Sequence, residues 1–324
     1  MARLRTAVVA VMMGAALLSP SLTADAELAL PSLSAESAVL TWSSWLPSFV
    51  AEFDPASAED CIAGRDKCAT KTIREMDKRL GDLAPTCSHN AIFSLAYLRI
   101  TQGYAWIRDT QNADGTPHYA DREGLNFVVE VFARAYIHAY DEWASGGTPP
   151  GAWRMAFEAA ETKQVNGNGD LLLGISAHIN RDLPFVMAAS GLVSPDGMSR
   201  KPDFDKVNEL LYRVSPALNA ELAARFDPSM RNEDGGLTDP ATFQLILGWR
   251  ERAWRNAEAL VSAPTDAERE LVAQRIELTA ESEAALLLAS STYQPPLTGT
   301  EARDNHCATH YADPPPVSYP FTVK

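Results

Sequence analysis

The sequence predicts an all-α protein with a single globular domain, and three observations support this prediction. Along its 324 residues, apolar side chains recur at intervals of three and four residues over long segments, as on one face of a helix. Short runs of alternating apolar and polar residues, which are typical of strands, do not occur. The breaks between the helical segments are too short to be interdomain linkers. We therefore expect about eight or nine helices in one domain.

The first four predicted helices cover the N-terminal part of the chain. One lies in a separate N-terminal segment, residues 27–60, and the others begin the helical domain, which we expect to span residues 61–292. Ser88 and Asp121 precede the third and fourth helices, where a side-chain oxygen can accept a hydrogen bond from a free N–H group of the first turn. The predicted ranges are 36–50, 69–82, 89–108 and 122–144.

The remaining five helices are separated by breaks that are rich in Gly and Pro. Pro149 and Pro150 precede the fifth helix, because proline is favoured in a first turn. Asp239 and Thr265 lie at the starts of the last two helices. We expect an irregular, Pro-rich tail over residues 293–324. The predicted helices before this tail are 151–162, 169–190, 204–224, 240–262 and 265–291.

Residues 1–26 have the composition of a secretory signal peptide. Arg3 and Arg5 give a positive start, an apolar stretch of about a dozen residues follows, and Ala24-Asp25-Ala26 is a cleavage site of small residues. The stretch is shorter than the roughly 20 residues of a membrane span, and no other segment reaches that length. We therefore predict an extracytoplasmic protein, secreted or in the cell envelope, without a retained membrane span. A retained N-terminal anchor is the alternative.

An exported chain with four cysteines is expected to form two disulfides. We expect Cys61–Cys68 as a short clip and Cys87–Cys307 as a link between the tail and the domain, with Cys68–Cys87 as an alternative. The chain has no CxxC pair, and the histidines that flank Cys307 lie in the predicted irregular tail. We therefore expect no metal site there.

Charge and motifs exclude several classes of function. The chain has 42 acidic and 28 basic residues and a net charge of −14, which argues against nucleic acid or anionic lipid as a partner. It lacks the GxxxxGK, GxGxxG, GxSxG and HExxH motifs, so we expect no nucleotide cofactor. The loop over residues 110–121 resembles a calcium loop only loosely, because its first position is Thr and its last is Asp.

Two ionisable residues lie on the predicted buried face of helix 169–190. At roughly 100° per residue, Asp182 falls inside the apolar arc and His178 lies beside it. Residues four apart are neighbours, so the two can satisfy each other. Asp182 then orients His178 as a general base, or both bind a metal, or the pair is structural. Pro184 frees backbone carbonyls next to the pair, which favours a site.

A second helix, 240–262, also carries polar residues close to its apolar arc. Asn256 is expected inside the arc and Arg252 at its edge, so both are candidates to meet His178 and Asp182. Arg252 would then contact an anionic group, and its alternative role is that of a surface residue. On helix 122–144, Arg134 and His138 belong to a polar stripe that is either a solvent-exposed salt-bridge ladder or the wall of a binding cleft.

Four separated motifs, spread over roughly residues 61–262, resemble the domain-of-unknown-function family 5995. The most specific is Ala177-His-Ile-Asn-Arg-Asp-Leu183, and the others begin at Cys87, Trp153 and Ala253. The family consists of mostly helical proteins without an established activity. The resemblance therefore implies a helical fold and selects His178, Asp182, Trp153, Trp254 and Asn256 for testing, the two tryptophans as candidate binding residues.

Two functional hypotheses follow from the sequence. The first is an exported hydrolase whose pocket contains His178, Asp182, Asn256 and Arg252, with His178 as the general base. The second is a non-catalytic module that binds a small ligand or a cell-envelope partner, in which the His178–Asp182 pair is structural. A pocket next to the pair would distinguish an accessible site from a sealed scaffold.

Overall fold

The computed structural model describes residues 53–231, 236–295 and 298–323, and within these residues the fold is all-α. The predicted signal peptide, residues 1–26, and the predicted helix 36–50 lie outside the described residues. The helices are α1 (Asp66–Leu83), α2 (Ala91–Arg108), α3 (Arg122–Ala144), α4 (Gly151–Glu161), α5 (Gly167–Ser176), α6 (Leu183–Ser190), α7 (Lys201–Arg225), α8 (Pro240–Ser262), α9 (Asp266–Ser291) and α10 (Glu301–His310).

Side-chain caps begin several helices. Asp121 accepts a hydrogen bond from the Gly124 N–H, and Thr265 accepts one from the Glu268 N–H. Such caps satisfy donors that have no partner inside the helix. The prediction that Ser88 caps a helix is wrong, because α2 begins at Ala91 after Asn90 and has no side-chain cap.

The C-terminal tail differs from its prediction, because it contains the helix α10 and is not irregular throughout. The predicted Cys87–Cys307 disulfide joins α10 to the residues before α2, and the second predicted disulfide, Cys61–Cys68, is also present. Cys68–Cys87 is therefore excluded. A buried ion pair between Arg303 and Asp170 provides a further link between α10 and the domain.

The segment that was predicted as one helix over 169–190 is the centre of the domain. It consists of α5, a π-helical turn at Ala177–Asp182, and α6. The π-helical turn contacts α3, α4, α8 and α9, so side chains on all its sides are buried. A helix that is enclosed on all sides cannot keep a polar outer face, and its polar residues must find partners inside the protein.

No helix in the described part of the chain is long and apolar enough to span a bilayer.

Candidate functional site

The candidate site is centred on the carboxylate of Asp182, which three side chains hold in place. Its Oδ2 atom accepts a hydrogen bond from the Trp153 indole at 2.8 Å and lies 3.0 Å from His178 Nδ1. Its Oδ1 atom accepts one from the Arg181 guanidinium at 3.1 Å. Asp182 is 1% exposed, so these bonds compensate for the removal of the carboxylate from water.

These bonds determine which nitrogen of His178 carries its proton. Trp153 and Arg181 can only donate, so both oxygens of Asp182 act as acceptors, and in this arrangement His178 donates its Nδ1–H to Oδ2. Burial lowers the pKa of His178 below its usual value of 6.5, against the opposing effect of Asp182. At neutral pH the ring is therefore neutral, with a lone pair on Nε2.

Aromatic rings fix the plane of the His178 ring. The Phe132 ring is stacked on it at an interplanar angle of 5°, and the Tyr97 ring meets it edge-on with the centroids 4.5 Å apart. His178 is 4% exposed, and its Nε2 atom has no hydrogen-bond partner among the described residues. The site thus holds a buried, oriented and unpartnered hydrogen-bond acceptor, which is rare in a folded protein.

Pro184 interrupts the regular ladder of helical hydrogen bonds next to the π-helical turn. Pro184 has no N–H group, so it cannot bond to the carbonyl four residues earlier, and the regular ladder is interrupted there. The N–H of Leu183 instead donates to the carbonyl of His178, five residues back. Such π-bulges occur frequently at functional sites.

His178 lines an apolar cavity of about 120 Å³ between α2, α3, α7 and α8. Several of the lining side chains, such as Val129, Val207 and Leu211, are only partly buried, so the cavity lies close to the surface. The His178–Asp182 pair therefore borders a cavity. Other residues that form the walls are Phe93, Tyr97, Ile100, Leu125, Val128, Phe132, Leu210, Val214, Leu218 and Ile246.

The structure places the sequence-selected residues at different distances from the pair. Trp153 is fully buried and bonds directly to Asp182. Arg252 reaches the π-helical turn but bonds to Asn180 and to Glu283 on α9. The expectation that Arg252 meets the His178–Asp182 pair itself is therefore not supported by its described bonds.

The expected position of Asn256 in the buried arc of α8 is wrong, because this residue is only half-buried. The arc is centred on Ile246 and Ala257, and at about 100° per residue Asn256 lies about 80° away from Ile246. No described hydrogen bond connects Asn256 with His178 or Asp182. It is therefore not part of the site geometry.

The remaining candidate binding residues lie outside the cavity lining. Trp254 is buried against Phe204 and donates to Glu258 on its own helix. Arg134 donates to Glu130, and His138 is exposed and lies 3.9 Å from Glu142. The arrangement of Arg134 and His138 resembles the salt-bridge ladder more than a cleft wall.

Sequence reasoning missed Arg250, a buried side chain that also lines the cavity. The signal was present, because Arg250 lies four residues after Ile246 and three before Ala253, and therefore in the apolar arc of α8. The stacking partner Phe132 could not be identified from helical spacing, since it belongs to a different helix.

One group of side chains within the described residues has the spacing of metal ligands. Atoms of Cys61, Cys68 and Glu130 lie within 4.8 Å of one another. The two sulfurs form a disulfide, so neither is a thiolate that can bind a metal. The carboxylate of Glu130 bonds to Thr72 and Arg134. The disulfide and the bonds of Glu130 explain why these three side chains lie close together.

Comparison with known proteins gives a family but no activity. No curated protein and no solved structure matches the chain significantly. A family model described as "Family of unknown function (DUF5995)" matches residues 69–290, which is more than half of the chain. This region contains the π-helical turn, Trp153 and all the residues that line the cavity. The chain therefore belongs to the DUF5995 family, whose function is unknown.

Proposed function

We propose that this protein binds a small, mainly apolar molecule in the cavity, with a hydroxyl group of the ligand donating to Nε2 of His178. The observation that carries this proposal is the unpartnered Nε2 atom of His178, a residue that lines an otherwise largely apolar cavity. A buried acceptor without a partner costs roughly 1–3 kcal/mol. A ligand hydroxyl would recover this free energy.

The size and lining of the cavity limit the ligand. Its volume of about 120 Å³ compares with the roughly 150 Å³ of an engineered apolar cavity that stays dry and binds benzene. An apolar wall gives a water molecule few of the partners that it needs, whereas an apolar ligand gains from leaving water. The fitting class is thus a molecule with one small ring or a short chain.

We further propose that binding takes place outside the cytoplasm. The two disulfides, Cys61–Cys68 and Cys87–Cys307, support this location, because disulfides persist mainly in oxidising compartments. The signal-peptide composition of residues 1–26 agrees with it. The protein would then meet its ligand after export.

Calorimetric titration with 3-phenyl-1-propanol tests the binding proposal. We expect binding to the wild type and a loss of at least about 10-fold in affinity for Leu211→Trp, because the larger ring occupies the cavity. Leu271→Trp, at an exposed position on α9 that does not line the cavity, is the matched control and is expected to bind like the wild type. Absence of binding, or equal losses in both variants, would contradict the proposal.

A second function, hydrolysis, is favoured by the geometry of the pair itself. A carboxylate that accepts from the Nδ1–H of His178 stabilises the imidazolium that forms when Nε2 takes a proton, as general-base catalysis requires. The described residues offer His178 no hydroxyl or thiol within hydrogen-bond distance, so the nucleophile would be a water molecule.

An activity screen after metal analysis tests hydrolysis. Wild type and His178→Gln are assayed with aryl esters, phosphate esters and glycosides. If the pair is catalytic, we expect one activity that falls at least about 100-fold in the variant. If the variant loses only folding stability and no activity is found, the hydrolase hypothesis is wrong and the binding function stands alone.

A further inference from the structure

Arg250 differs from the other buried arginines of the described structure in its partners. Each of the five other buried arginines has a carboxylate oxygen within ion-pair distance, whereas Arg250 has none among the described residues. Arg250 is 5% exposed, and it donates to the Asn208 side chain and to the carbonyl of Phe204, both of which are neutral. The five paired residues are Arg99, Arg108, Arg181, Arg200 and Arg303.

The charge of Arg250 is therefore buried without a carboxylate at ion-pair distance among the described residues, and Asp205 acts on it only from farther away. Burial lowers the pKa of Arg250 to about 10, so the side chain still carries its charge at neutral pH. Burial acts in the same direction on the pKa of Arg99 and of Arg303, but neighbouring carboxylates outweigh this effect. The pKa of each of these two side chains is therefore raised. A buried cation without a close anion is unfavourable, and a well-oriented, hydrogen-bonded carboxylate next to it offsets part of this cost.

The position of Arg250 indicates where a counter-ion would come from. The side chain lines the same cavity as His178, and the Phe204 ring covers its guanidinium at 4.3 Å. Its described hydrogen bonds use the Nε atom and one donor of Nη2. A guanidinium has five N–H donors, so donors remain for a planar, bidentate acceptor such as a carboxylate.

We propose that the cavity ligand is an apolar hydroxy acid, whose carboxylate pairs with Arg250 and whose hydroxyl donates to Nε2 of His178 while its hydrocarbon body fills the cavity. This inference rests on the proposed function, because it assigns a chemical class to the ligand of the same cavity. The net charge of −14 repels anions from the protein as a whole, so a preference for an acid must come from a local cation.

Matched ligands with the same phenylpropyl body test the proposal. Calorimetry compares 3-phenyllactate with 3-phenyl-1,2-propanediol, which share the hydroxyl on the second carbon and differ only in a carboxylate or a CH2OH group at the end, for wild type, Arg250→Lys and Arg250→Met. We expect the wild type to prefer the acid by about 10- to 100-fold, the usual effect of a hydrogen-bonded charge pair. The preference should decrease in Arg250→Lys, which keeps the charge but loses the planar fork, and vanish in Arg250→Met.

The outcomes separate this inference from the proposed function. If both compounds bind the wild type with equal affinity, or if Arg250→Met keeps the preference for the acid, the inference is wrong and cavity binding stands. If neither compound binds, the proposed function itself fails. The acid-to-diol ratio of the wild type is decisive even where Arg250→Met does not fold, and diol binding by Arg250→Met shows that its cavity is intact.

Discussion

At the scale of single residues, the indole N–H of Trp153 is a main support of the buried Asp182 carboxylate. Trp153→Phe keeps most of the ring but removes this donor, so one bond of a buried charge is lost. We expect the free energy of unfolding to decrease by about 1–3 kcal/mol more than in the control, as measured by urea denaturation.

The matched control for Trp153→Phe is Trp249→Phe. Trp249 is also buried, at 2% exposure, but its Nε1 atom has no hydrogen-bond partner in the described structure. Both substitutions remove the same atoms, so the difference between them compares a buried indole N–H that is bonded to Asp182 with one that has no partner. Equal losses of stability would show that the bond contributes nothing.

The protonation of His178 predicts a specific dependence of stability on pH. Its pKa is lowered in the folded state, so the unfolded chain binds the proton more readily, and stability is lost as the pH falls below the unfolded value of about 6.5. Relative to His178→Gln, the free energy of unfolding of the wild type should decrease by up to about 1.4 kcal/mol for each pH unit below 6.5. This decrease should end at the pKa of His178 in the folded protein. Denaturation at about pH 7.5 and pH 5.5 measures this, and parallel losses in the two proteins would contradict it.

Part of the site could be predicted at this scale. Helical spacing identified His178 and Asp182 as a buried neighbouring pair, because both lie on one helix. Phe132, Trp153 and Arg250 reach the site from three other helices, and spacing within one helix says nothing about which helices become neighbours. Trp153 was selected through the family resemblance and not through its spacing.

At the scale of elements, the close approach of α5 to α2 keeps Phe93 in the cavity wall. A Cβ atom on Gly174 would lie 2.4 Å from the Phe93 ring, so glycine is required at this crossing. We expect Gly174→Ala to destabilise the protein by about 1–3 kcal/mol, through overpacking that displaces a ring in contact with His178.

Gly248→Ala is the control for this substitution. Gly248 lies in the middle of α8, and no atom is found within 4 Å of the position of its missing Cβ. Alanine is favoured over glycine in a helix by up to about 1 kcal/mol, so this variant should gain stability. Thermal denaturation of both variants measures the contrast, and a stable Gly174→Ala would show that the α2–α5 contact adapts.

Most helices could be predicted from the sequence, but the division of 169–190 into α5, a π-helical turn and α6 could not. Pro184 predicts an interruption of the helix, but the hydrogen-bond pattern around it depends on the packing of the neighbouring helices. The helix α10 was also missed, because its polar surface has a weak periodicity. Its packing depends on Cys307 and Arg303, whose partners lie far away in the sequence.

At the scale of the whole molecule, the fold brings α2, α3, α7 and α8 around a cavity whose lining is almost entirely apolar. The few polar residues in this lining include His178, whose Nε2 atom has no partner among the described residues, and Arg250. The apolar wall could be expected from the composition of the helices. That this wall leaves a cavity is a property of the assembled domain, since close packing normally fills such a space.

A crystal structure of the protein with 3-phenyl-1-propanol tests the central claim most directly. We predict the phenyl ring in the cavity and the hydroxyl oxygen about 2.7–3.2 Å from Nε2 of His178, with the Nδ1 bond to Asp182 retained. The claim would be contradicted by an empty cavity at saturating ligand, or by an Nε2 atom that bonds to another group of the protein.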